Sequence, residues 1–144
     1  MNLTLATALE ILAAARAAAI ARNAKPLAYA LVDAGGNPLA LQRDERAGHL
    51  RIQIALNKAW GCIALGMSSG RLGRSIEGHS DWWVGLSGAA GGRLIPSAGG
   101  VFICSPDGVV LGALGISGEA SAIDQEIAVE AIEALDLEAD TEGD

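Results

Sequence analysis

Between Arg93 and Gly118 the chain reads RLIPSAGGVFICSPDGVVLGALGISG, two apolar runs divided by a polar turn and flanked by glycines. Ser105-Pro106-Asp107-Gly108 separates the run beginning at Val101 from the one beginning at Val109. Pro106 presets φ and the Asp-Gly pair supplies turn chemistry, so this spacing predicts two antiparallel strands. Gly99 and Gly100 ahead of the ribbon, and Ser117-Gly118 behind it, leave bare backbone at both ends. Either a ligand or another backbone can come close there. The glycines at 112, 115 and 118 do not fit strand alternation, which predicts a bulge or a close helix contact.

The rest of the chain supplies covering elements. Thr4 to Arg22 is rich in alanine and leucine and predicts a helix capped by Thr4 or Thr7. A second hairpin follows over Leu27 to Arg43, with its turn at Ala34-Gly35-Gly36-Asn37; Asp33 closes its first strand, where a carboxylate can bond the turn's backbone. Leu50 to Leu65 has helical spacing with His49 at its mouth and Lys58 at the edge of the apolar stripe. A lysine so placed usually carries its ammonium out to water; the alternative turns it into a pocket to hold a carboxylate. Short helices are predicted near Ser68–Ile76 and Trp82–Ala89. Ser121 to Leu137 predicts an amphipathic helix with Asp124 beside its apolar stripe, in a first turn that favours a carboxylate. The order predicts an α+β domain over residues 1–137 with a mainly antiparallel five-stranded sheet. The terminal helices cover one face, a short strand falls near Arg93–Pro96, and residues 138–144 form a frayed acidic tail.

With 144 residues, 51% of them hydrophobic, one full core is expected. The net charge of −7 conceals a division: all ten Lys and Arg lie at or before Arg93, and no base follows it. An acidic chain lacks the basic footprint that nucleic acids and anionic membranes select. The charge division could serve docking between subunits, or be solvated surface. Cys62 and Cys104 have no C-x-x-C spacing and apolar neighbours, which suits free thiols in a cytoplasmic protein. No basic leader is evident, and Glu10 and Arg16 interrupt the alanine-rich start.

Several chemistries are excluded by motif. There is no dinucleotide fingerprint and no P-loop. Two histidines without clustered thiols make no protein-only metal site, and no C-x-x-C-H attaches haem covalently. A haem held by one axial side chain is still allowed, with His49 and His79 as candidates. Trp82 and Trp83 beside His79 could wall such a ligand, anchor a second copy, or plug the core.

Taken together, LTLATALEIL, ALVDAGGNPLALQR, ALNKAW, IPSAGGVFI, GVVLGALGISG and SAIDQEIAVEAIEAL resemble the GlcG/HbpS family, which includes the C-terminal domain of PduO-type proteins. The resemblance implies a five-stranded antiparallel sheet flanked by helices, assembly into homo-oligomers, and a link to haem binding or degradation. Where the family commonly has Pro-Gly-Gly before the hairpin, this chain has Ser97-Ala98-Gly99-Gly100, with its proline at Pro96.

Three readings follow. In the first, haem lies in a surface or intersubunit cleft near His79, Trp82 and Trp83, with Arg71 or Arg74 meeting its propionates. In the second, a small hydroxy- or oxo-acid is held by Lys58 or Arg43. The amides of Gly99, Gly100 and Gly118, with Ser117 near, then cradle an oxygen, and Asp33, Glu119 or Asp124 moves a proton. In the third, the chain is a non-catalytic regulatory or structural oligomer.

Overall fold

A computed structural model describes residues 1–144. The chain runs α1 (Leu5–Ala21), β1 (Ala28–Asp33), β2 (Pro38–Arg43), α2 (Leu50–Leu65), α3 (Ser69–Ser75), α4 (Ser80–Ala89), β3 (Gly100–Cys104), β4 (Val110–Ser117), α5 (Ser121–Glu133) and β5 (Glu138–Asp140). The five strands form one antiparallel sheet in the order β2-β1-β4-β3-β5. The expected α+β class and five-stranded sheet are therefore what the chain adopts. No helix is long and apolar enough to cross a membrane.

The two faces of the sheet are built from residues of different size. Tyr29 and Leu31 of β1, Val101 and Ile103 of β3, and Leu114 and Ile116 of β4 pack with α1 and α5, which meet through residues such as Ala15 and Ala128. On the opposite face the alternating positions of β1 and β4 are Ala28, Ala30, Val32 and Ala113, with Phe102 and Cys104 of β3 beside them, and these lie under Ala55, Ala59 and Cys62 of α2. A sheet face made of alanine and glycine lets a helix backbone descend further than one made of leucine. At Gly115 the descent is complete, because an added Cβ would sit 2.9 Å from the Ala59 amide nitrogen and closer still to the Ala55 carbonyl. The close helix contact expected from the glycine spacing is thus present, along with a register shift at Ile103/Cys104.

Two local expectations need correction. Arg93–Pro96 is not a strand. The fifth strand is Glu138–Asp140, paired with Phe102, Ile103 and Cys104 of β3. Accordingly residues 138–144 are not a frayed tail: Met67 bridges Gly143, Ser68 Oγ donates to the Thr141 carbonyl at 2.5 Å, Arg74 pairs with Glu142 at 2.6 Å, and Arg71 donates to the main-chain oxygen of Asp144. Thr4 alone caps α1, accepting from the Thr7 amide at 3.1 Å.

The charge division has an internal use. Arg22–Glu130, Lys58–Asp124 and Arg74–Glu142 each join the basic first part of the chain to the acidic last part. Because β5 covers the β3 edge and its flanking residues hold α3, removing residues 138–144 is expected to lower stability by roughly 2–3 kcal/mol, at about 0.5–1.5 kcal/mol per hydrogen bond lost. An unchanged urea midpoint in the truncated chain would show that this clamp does not hold the fold.

Candidate functional site

The expected site at the ends of the central ribbon is occupied by the chain itself. Lys58 projects from α2 and is only 2% exposed, so its ammonium does not reach water. Its Nζ donates to the Ile116 carbonyl at 2.9 Å and lies 3.3 Å from Asp124 Oδ2. Asp124, 1% exposed in the first turn of α5, accepts the Glu119 amide on its other oxygen at 3.1 Å. Lys58 therefore holds a carboxylate as the second reading supposed, but that carboxylate is the protein's own.

The paired glycines exist for this packing. Gly99 has φ +128, and an added Cβ there would lie 2.7 Å from Lys58 Nζ. At Gly100 a Cβ would meet Ser69 Oγ at 2.8 Å and run into the Lys58 carbonyl. The Gly100 amide donates to Ser69 Oγ at 2.7 Å, so it is not a free oxyanion donor. Gly118, with φ +143, turns the chain beside Leu27 and the Pro26 carbonyl. Ser117 Oγ accepts from Arg51 Nη1 at 3.3 Å. Burial pushes the Asp124 carboxyl up and the Lys58 ammonium down, in each case against the attraction of the partner. The two directions agree: desolvation outweighs the ion pair.

The remaining candidates are spread over the surface. Asp33 Oδ1 accepts the Gly35 and Asn37 amides, each at 2.9 Å, and so forms the turn as its position suggested. Glu119 accepts the amides of Lys25 at 2.8 Å and Ala120 at 3.2 Å. One nitrogen of Arg43 ties down the following loop through the carbonyls of Asp44, Glu45 and Ala47. His49 opens α2 without a side-chain cap bond.

His79 stands ahead of α4, also without a cap bond, and α4 buries none of its residues. Trp82 is 60% and Val84 69% exposed, so Trp82 plugs no core, while Trp83 is half-buried. Arg71 and Arg74 are engaged by the C-terminal residues instead of lying free beside His79. Sequence reasoning missed Arg51 and Ser69. Arg51 stands seven residues before Lys58, the spacing that returns a helix to the same face, and that was the available signal. Ser69 offered none.

The comparisons with known proteins agree with this architecture. A 15.0 kDa protein of Citrobacter freundii from the dhaT-dhaS intergenic region is 31% identical over 117 residues, covering 81% of this chain and 80% of that protein. The crystal structure of Klebsiella pneumoniae ORFY is 30% identical with a TM-score of 0.82, covering 91% of this chain and 88% of that one. The PduOC:heme complex is 27% identical with a TM-score of 0.84, covering 95% and 97%. The family model described as haem degrading protein HbpS-like matches residues 3–133, and the chain belongs to that family.

Proposed function

We propose that this protein binds haem on the α4 face, with the porphyrin shared between two copies. Support comes from the family's description, from a relative in complex with haem, and above all from one observation: a ten-residue helix with no buried residue that displays Trp82 and Val84. Exposed apolar surface of this kind marks a contact with something outside the chain.

The residues fit the group in part. His79 offers an imidazole for axial coordination, and Trp82 and Trp83 offer flat apolar area to a porphyrin face. Haem would bring an iron centre; the protein's own residues would supply that imidazole and shield the ring. One helix covers only one face of a porphyrin, which is why a second copy belongs in the reading. Arg71 and Arg74 can meet propionates only by leaving the C-terminal residues that now hold them.

Haemin titration tests this. The wild type is expected to show a saturable Soret shift, weakened at least tenfold by His79→Ala and little changed by His49→Ala, with light scattering reporting association as haemin is added. A Soret shift of equal affinity in both single variants and in the double variant would remove imidazole ligation from the proposal.

A further inference from the structure

A cavity of about 530 Å³ opens where the end of α1 passes the β1-β2 hairpin, and none of its lining residues belongs to α4. Its floor is apolar: Ala19 and Leu27 are buried there, with Ile20 and Ala24 beside them. Its rim carries Arg16, Lys25, Arg43 and Arg46 against only Asp44 and Glu45. Asp44 is already engaged by Arg46 through an ion pair at 3.4 Å and a backbone bond. In a chain of net charge −7, this hollow is a local positive region.

Tyr29 provides the second, independent pointer. It is 94% buried by its 6% exposure, lines the cavity, and makes no hydrogen bond within the chain through its hydroxyl. The only fully enclosed side-chain oxygen without a partner is Gln125 Oε1, so the Tyr29 hydroxyl opens on the hollow, where it is placed to donate to whatever enters. Burial raises the phenol above its usual 10.0, while Arg16 opposes that rise and Asp44 and Asp124 add to it. The phenol thus keeps its proton at neutral pH, and its oxygen lies within the fields of two rim residues. Arg16 makes no ion pair or hydrogen bond of its own, and the side chain of Lys25 makes none either.

From these features we infer that the cavity is a binding site for a small organic acid, its carboxylate taken by Tyr29 and Arg16 and its hydrocarbon body laid on Ala19 and Leu27. Hydroxyl and guanidinium donors converging on one side suit a carboxylate. A hollow of this volume, with Ala19 and Leu27 at its base, suits a ligand with a body larger than that of a mineral anion. This site uses none of the residues assigned to haem, so it stands or falls separately from that reading.

Tyr29 is the only tyrosine, so its ring signals in an NMR spectrum report on this cavity alone. Titration of the full chain with benzoate is expected to move those signals saturably. Arg16→Gln, an exposed change, should weaken binding at least fivefold through loss of a charge-assisted bond, and Lys25→Gln should weaken it less. Inorganic phosphate should bind more weakly than benzoate. Absence of a saturable Tyr29 shift, or equal affinity in wild type and Arg16→Gln, would overturn the site. Phosphate binding as tightly as benzoate would overturn the assignment to an organic acid.

Discussion

Replacing Asp124 by Asn is expected to lower stability by about 3–5 kcal/mol, the usual cost of leaving a buried charge without its partner. The variant keeps an oxygen to accept the Glu119 amide, so the loss falls on Lys58, which is 2% exposed and has no other acid within reach. A Lys58→Met/Asp124→Asn double variant is expected within about 1 kcal/mol of wild type, because removing both charges removes the desolvation each suffers.

The pH dependence follows from the same cause. Burial holds Asp124 above its usual 3.8, and an acid raised on folding contributes stability that is whole below 3.8 and lost as pH climbs through the raised value. Lys58 lies below its usual 10.5; an amine lowered on folding contributes stability that is whole above 10.5 and lost as pH falls through the lowered value. The balance between double variant and wild type should therefore move toward the double variant as pH rises from 3.8 through the raised value of Asp124. Urea midpoints at several pH values read this directly. An Asp124→Asn protein within about 1 kcal/mol of wild type at neutral pH would sink the description of this pair.

Much of the frame was legible because its signals are local. Alanine-rich and amphipathic periodicity marked α1, α2 and α5, and turn residues marked both hairpins; each depends on a few neighbouring side chains. The direction of Lys58 was not legible. It depends on how far α2 sinks onto Ala28, Ala30, Ala113 and Gly115, positions that come together only when distant strands pair in register. The bare backbone at Gly99 and Gly100 was visible, but whether it faced a ligand or a lysine was decided by that descent.

The same limit explains the last strand. Three residues of β5 are too few for a period, and LEADTEGD reads as solvated acid until its distant partners Arg71 and Arg74 are in place. For Trp82 the sequence left ligand wall, subunit anchor and core plug open, and since large aromatic side chains are usually inside, only the exposure of α4, which buries none of its residues, removes the last of these. Tyr29 showed nothing in sequence beyond a strand position, since the hollow beside it is formed by α1 and the loop after β2.

Gly115→Ala is expected to cost roughly 3 kcal/mol or more, at the upper end of overpacking effects, because the obstruction is backbone that cannot rotate away. No unusual φ is involved at this position, so the effect is steric alone. The added methyl would lie 2.9 Å from the Ala59 nitrogen and 3.0 Å from the Ala55 carbonyl carbon, forcing α2 off the sheet. Lys58 stands between those two alanines in sequence, so the same displacement draws its Nζ from the Ile116 carbonyl and Asp124. Gly88→Ala is the matched control: nothing lies within 4 Å of its added methyl, and in the helix α4 it should be neutral or gain up to about 1 kcal/mol. Thermal unfolding of the two variants separates crowding from any general effect of replacing glycine. Equal melting temperatures would mean that α2 does not rest on β4 at Gly115, and that the burial of Lys58 needs another cause.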